Sequence, residues 1–187
     1  MPNPSIHLIT QTRATQSSHA KIRRLVTSLS SQRNGLMMHV VWYGDQGEEL
    51  PEFLNKRWIK TYREPALLPH SKNRNLALIH LSENPPPSDA IIGFPDDDAF
   101  YPAGFWRAMR GVFAAGMDYV VTTQVPFGPV VPMGDATKMG ERLTLRRQMW
   151  HSSSVTMFFR ADVVGKTGLF NEELGLGTPI EGGEDTE

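Results

Sequence analysis

Apolar residues fall along this chain in short runs separated by polar, Pro-rich or Gly-rich breaks. "SIHLIT" (Ser5 to Thr10) reads as a strand. Ile22, Leu25, Val26 and Leu29 recur at i, i+3, i+4 and i+7, which is one face of a helix. Ser17 and Ser18 can cap its start, and Asn34-Gly35 stops it. "LMMHVVWY" (Leu36 to Tyr43) has too little alternation for a half-exposed strand and predicts a buried one. "RWIKTY" (Arg57 to Tyr62) is a third strand. Ser71 caps a helix running to about Leu81, and "ENPPPSD" ends it. Ala90 to Phe94 is a fourth strand, and Phe105, Met109, Val112 and Phe113 mark another amphipathic helix. "DYVVTTQV" (Asp118 to Val125) and "VTMFFR" (Val155 to Arg160) complete the strands, with a long Pro/Gly-interrupted stretch between them.

Strands alternating with helices predict an α/β layer around a mainly parallel sheet. In such sheets ligands bind beyond the carboxyl ends of the strands. The polar residues at those ends therefore carry the functional reading. They are Thr10-Gln11-Thr12-Arg13, Gly44-Asp45-Gln46, Ser71 to Asn75, and Asp96 to Asp98.

Composition narrows the class. The 187 residues suit one domain with a real core. With 19 basic and 20 acidic residues, the net charge of −1 argues against a nucleic-acid binder built on a broad basic surface. There is no Cys, hence no disulfide framework and no thiolate metal site, which suits a reducing cytoplasm. No apolar run approaches the ~20 residues of a membrane span, and the start does not read as a signal peptide.

Four stretches can carry chemistry. Asp96, Asp97 and Asp98 place three like charges at the end of a buried strand. Such carboxylates offer hard oxygen ligands to Mg²⁺ or Mn²⁺, the usual partners of a diphosphate. The plainer reading is a solvated acidic turn. In "SKNRN", Lys72 and Arg74 sit in the first turn of a helix, where free N–H groups and the dipole already favour an anion. A phosphate would resolve the misplaced cations, although on the motif alone a solvated basic turn is the favoured reading. Asp45 follows the second strand, where a carboxylate can accept from a base N–H or a ribose hydroxyl, or simply form a turn. "GLFNEELGLGTPIEGGEDTE" is Gly-rich and acidic. Its Glu184-Asp185 pair offers a general base at the end of a pliant loop, or a frayed tail. His7 and His39 lie in apolar strands and read as satisfied core residues.

In order, these pieces resemble a GT-A glycosyltransferase of the family 2 type. That family has an N-terminal strand, an Asp after the second strand, an "RN" stretch opening a helix, and a DxD motif after the fourth strand. A "G-x-F-(D/N)-E-x-L" segment and a closing "GED" follow. Here they are Ser5 to Thr10, Asp45, "SKNRN", "PDDD", "GLFNEELG" and "GGEDTE". The resemblance implies a GT-A α/β fold with a mainly parallel central sheet flanked by helices, in a single domain over 1–187, truncated just after the "ED" pair.

It also implies roles. Asp45 and Thr10, Gln11 and Thr12 would hold the base. Lys72, Arg74 and Asn75 would lie by the ribose and diphosphate, with Asp96 and Asp97 beside them. Asp98, with Asp96, would hold Mn²⁺ or Mg²⁺. Asp185, beside Glu184, would be the base of an inverting transfer from a nucleotide sugar, UDP-linked by preference, to a saccharide or glycolipid acceptor. The resemblance allows a peripheral membrane association. A sugar nucleotidyltransferase of the same fold is the rival enzyme, and a catalytically incomplete sugar-nucleotide-binding domain is the rival without catalysis. The nucleotidyltransferases usually carry a Gly-rich loop after the first strand, where this chain has "TQTRATQSS".

Overall fold

A computed structural model describes residues 4–122 and 153–181 of the chain. It opens with β1 (Ile6–Arg13), α1 (Gln16–Ser30) and β2 (Leu36–Tyr43), then a 3₁₀ turn (Glu52–Leu54), β3 (Ile59–Glu64) and α2 (His70–Glu83). There follow β4 (Ile91–Gly93), α3 (Phe105–Ala114), β5 (Tyr119–Val121), a 3₁₀ turn (Ser154–Thr156), β6 (Met157–Arg160) and α4 (Ala161–Thr167). The strands form one sheet in the order β3-β2-β1-β4-β6-β5. β1 runs parallel to β2 and β4, and β2 parallel to β3. β6 is antiparallel to β4 and to β5, so the sheet is mixed but mostly parallel.

Helices cover both faces, which is why β1 and β2 read as nearly unbroken apolar runs. On one face Leu8, Val40, Trp42 and Phe158 pack with Ile22, Leu25 and Leu29 of α1 and Trp106 and Met109 of α3. On the other, Ile9, Val41 and Ile92 pack with Ala77, Leu78 and Leu81 of α2, and Val164 of α4 borders that cluster. His7, His39 and Tyr62 form a polar line across the α2 face. His7 Nδ1 lies 3.2 Å from His39 Nε2, and His39 Nδ1 lies 2.9 Å from the Tyr62 hydroxyl. The two histidines are satisfied within the sheet, as their apolar setting suggested.

Glycine is required in β4. Gly93 pairs with Phe158, and a Cβ there would come 2.7 Å from the Phe158 ring and 3.2 Å from Leu8 Cδ2.

Some boundaries differ from the sequence reading. Thr15, in extended backbone, is the residue before α1, and its hydroxyl bonds that of Ser18 at 2.9 Å. Ser71 does not cap α2. Pro69 stands at the cap, and the Ser71 side chain is buried inside the first turn. Proline suits a helix start because its φ is already helical and it has no N–H to satisfy. β3 starts at Ile59 and runs to Glu64, two residues later than Arg57 to Tyr62. Among the described residues no helix is long and apolar enough to cross a membrane.

Candidate active site

The chain leaves β1 towards β2 and β3 on one side and later returns to place β4 on the other. The crevice beyond the carboxyl ends of β1 and β4 is thus the switch point where α/β sheets bind ligands. A hydrogen bond spans it: Thr12 Oγ1 donates to Asp97 Oδ2 at 2.7 Å. Burial pushes the Asp97 carboxyl above the usual range. The Thr12 bond and the nearby Lys21 and His70 oppose that shift, and Asp98 adds to it. Asp97 is therefore a sheltered carboxylate whose charge is only partly answered. Asp98 is half-exposed, with Lys21 Nζ 4.0 Å from its Oδ2. The Asp96 carbonyl accepts from Ala99 N–H at 3.1 Å, which turns the chain away from β4.

Asp45 lies one strand away, delivered by a turn at Gly44. That residue has φ of +70°, and a Cβ on it would come 2.6 Å from Leu67 Cδ2. Only glycine fits there easily. The Asp45 carboxylate is buried and already engaged. Arg63 donates through Nη2 to Oδ1 at 2.9 Å and through Nε to Oδ2, and Gly47 N–H donates to Oδ1 at 3.1 Å. The Arg63 hydrogen bonds hold the Asp45 carboxyl below its ordinary pKa, against the effect of burial.

The "SKNRN" turn is tied to the "GLFNEE" segment. Asn75 Nδ2 donates to the Phe170 carbonyl at 2.9 Å, and Phe170 N–H donates to Asn75 Oδ1 at 2.8 Å, as neighbouring strands do. Asn75 Nδ2 also reaches Glu172 Oε1 at 3.1 Å, and Lys72 Nζ lies 3.7 Å from Glu172 Oε2. The Arg74 guanidinium sits over the Phe170 ring at 5.4 Å. Asn75 is thus a structural clamp, and Glu172 answers part of the positive charge at this helix start.

Several buried polar atoms at this end of the sheet lack hydrogen-bond partners among the described residues. They are Thr10 Oγ1 and Gln11 Oε1 near the end of β1, and Ser71 Oγ and Asn73 Oδ1 in the first turn of α2. A buried polar atom left unpaired costs about 1–3 kcal/mol, so such a group suits a region that meets a polar ligand. Glu184 and Asp185 lie outside the described residues. Among the described residues, no three His, Cys, Asp or Glu side chains gather as a metal cage. The donors near the crevice are the carboxylates of Asp96, Asp97 and Asp98. That set fits a hard cation held by one or two carboxylates and completed by phosphate oxygens.

Sequence reading missed Arg63, Lys21 and Glu172. Arg63 lies at the carboxyl end of β3, where a site residue is expected, but ending that strand at Tyr62 put it out of view. Lys21 carried no signal beyond ordinary surface charge, whereas Glu172 is the Glu of the "G-x-F-(D/N)-E-x-L" segment and was quoted without a role.

No protein-family model matches the chain, and no curated protein matches it in sequence. Solved structures match its fold. S. aureus TarS, residues 1–349, superposes with a TM-score of 0.72 at 19% identity, over 97% of this chain and 53% of that one. The same protein in complex with UDP-GlcNAc gives 0.71 at 19% identity, over 97% and 51%. Mannosyltransferase PcManGT from Pyrobaculum calidifontis, in complex with GDP-Man and Mn²⁺, gives 0.58 at 17% identity, over 92% and 49%. The chain spans about half the length of these neighbours. With its mostly parallel six-stranded sheet and flanking helices, the chain has the GT-A-like fold of these glycosyltransferases.

Proposed function

We propose that this chain binds a nucleotide sugar and serves as the donor half of an inverting glycosyltransferase. The observation that carries the reading is the Thr12–Asp97 bond across the switch point, with unpaired polar groups on β1 and α2 at the same end of the sheet. The neighbours complexed with UDP-GlcNAc and with GDP-Man and Mn²⁺ support it.

In this reading the base lies towards Asp45 and Arg63, and the diphosphate lies over the Asp96 to Asp98 loop. Asp98 and Asp96 would hold Mn²⁺ or Mg²⁺, and Asp97 adds charge from the crevice side. The cation, when bound, supplies Lewis-acid stabilisation of the leaving nucleoside diphosphate. Thr12 fixes Asp97, so that carboxylate needs no rearrangement when charge develops beside it. The acceptor is a saccharide or glycolipid whose hydroxyl is a weak nucleophile. Asp185 takes its proton, with Glu184 alongside, as the oxygen attacks the anomeric carbon. The bond to the diphosphate breaks on the opposite side, and the configuration inverts.

The test is calorimetry with UDP and GDP in the presence of Mn²⁺, followed by turnover of UDP-sugars. Metal-dependent binding of a nucleoside diphosphate is expected. Asp185→Asn should keep that affinity and lower transfer by about 10²-fold or more. Absence of nucleoside diphosphate binding overturns the reading. Pyrophosphate release from a nucleoside triphosphate would replace it with nucleotidyl transfer. Binding without turnover would reduce the role to donor binding.

A further inference from the structure

The two α-helices on one face of the sheet, α1 and α3, carry basic residues and no acid. From Gln16 to Gly35 the chain has Lys21, Arg23, Arg24 and Arg33 and no acid. From Phe100 to Met117 it has Arg107 and Arg110 and no acid. The other 13 of the 19 basic residues and all 20 acidic residues lie elsewhere, so these two segments oppose the sign of the rest of the chain, with Glu52 of the 3₁₀ turn packed against α1 at their edge.

The two segments are adjacent. Gln32 Nε2 donates to the carbonyls of Tyr101 at 3.3 Å and Pro102 at 3.0 Å, and Arg110 donates through Nη2 to that of Asn34. Lys21 lies 4.0 Å from Asp98 Oδ2, but Arg23, Arg33 and Arg110 are held in place without being neutralised. Arg33 donates to the Ser30 carbonyl at 2.6 Å, Arg110 to that of Asn34, and Arg23 lies 4.9 Å from the centre of the Phe53 ring. Carbonyls and rings fix a guanidinium but bring no countercharge. Among the described residues none of Arg23, Arg33, Arg107 and Arg110 pairs with a carboxylate. Burial lowers the Arg110 pKa with no acid opposing it.

An exposed aromatic ring completes the surface. Phe100 is 56% exposed in the loop after Asp98, and with His19, Arg23 and Arg24 it lines a cleft beside α1. A soluble polyanion without rings, such as polyphosphate, would reward the cations but not the ring. A bilayer surface rewards both, since anionic headgroups attract Lys and Arg and the interface takes up aromatic side chains.

We infer that the α1–α3 face docks on an anionic bilayer surface, with Phe100 entering the headgroup layer. Lys21 contacts Asp98 at the edge of this face, so docking brings the Asp96 to Asp98 loop to the membrane plane. The inference rests on the distribution of charge and stands whether or not the chain transfers sugar.

Sedimentation of the chain with vesicles tests it. Binding to mixed phosphatidylcholine–phosphatidylglycerol vesicles at low salt is expected to exceed that to pure phosphatidylcholine by about 10-fold or more, and to fall as salt rises. Arg33→Glu with Arg107→Glu should remove most of it. Lys60→Glu with Lys166→Glu, the same charge change on the α2 side, should cost much less. Phe100→Ala should weaken binding at constant charge. Circular dichroism checks that each variant is folded, and the single Arg107→Glu substitution replaces the double one if that unfolds. Failure to bind the anionic vesicles, or equal losses from the two double variants, overturns the inference. Binding to soluble polyphosphate without binding to vesicles does so as well and marks the face as a polyanion site.

Discussion

Arg63 grips the Asp45 carboxylate on both oxygens, and Gly47 N–H adds a further bond. The Asp45 side chain is 5% exposed, whereas that of Arg63 is 41% exposed. A carboxylate so engaged has little capacity left for a ligand N–H, so the exposed guanidinium is the group expected to meet the nucleotide. The measurement is a double-mutant cycle on UDP binding with Asp45→Asn and Arg63→Ala. If Asp45 acts by positioning Arg63, the double variant binds no more weakly than Arg63→Ala alone. Additive losses would make Asp45 a contact in its own right.

Thr12 and the acidic loop give a graded expectation. Asp98→Ala and Asp97→Ala should each remove most of the Mn²⁺-dependent UDP affinity while the fold persists, because both residues lie past a strand end. Thr12→Val keeps the shape and deletes only the bond to Asp97. It should cost about 1 kcal/mol of binding, the net worth of one hydrogen bond. Calorimetry reads all three. Unchanged affinity in Asp98→Ala would take that residue out of the metal shell.

The fold was legible where residues were apolar on both faces. β2 falls at Leu36 to Tyr43 as read, because a doubly covered strand is apolar on both faces apart from His39. β3 was misplaced by two residues because, as an edge strand, it mixes Lys60, Thr61 and Arg63 with its apolar positions. The antiparallel direction of β6 has no local signature, since pairing direction depends on how the chain returns to the sheet. Asp45 and Asp97 were legible as carboxylates at strand ends. Thr12 was legible as a strand-end residue, but its bond to Asp97 was not, and Arg63 was not read at all, because each partner is far from its acid in sequence. The clamp of Asn75 on Phe170 was hidden for the same reason, across 95 residues.

Gly93 provides a test of packing. A methyl group there would overlap the Phe158 ring, which is fully buried between α1, α3 and the sheet. Gly93→Ala should lower stability by about 1–3 kcal/mol, the usual cost of overpacking a core. Urea unfolding measures it. Adding Phe158→Leu should recover part of the loss, because it removes the atoms that clash. No recovery would place the strain in the backbone of β4.

The histidine line makes stability depend on pH in a direction that can be worked out. Burial holds His39 down to about 3, with His7 and Lys60 adding to the effect. Burial likewise holds His7 down to about 4, with Lys60 adding to it. Both are neutral in the folded chain near pH 7, and both would titrate near 6.5 once unfolded. Between those values the unfolded chain binds more protons, so stability is full above about pH 6.5 and falls as pH drops towards the folded values. His39 is 1% exposed, so its share of the slope approaches about 1.4 kcal/mol per pH unit within that window. His39→Gln keeps an amide that can bond His7 or Tyr62 but does not titrate. The variant should be less stable than wild type at pH 7.5 by about 1 kcal/mol for the poorer bond. Its stability should then fall less steeply with acid, and the two urea-derived curves should converge below about pH 6. Carboxylates contribute to both curves alike and cancel in the difference. Parallel curves across this range would mean that His39 takes up its proton in the folded chain over the same pH range as in the unfolded one.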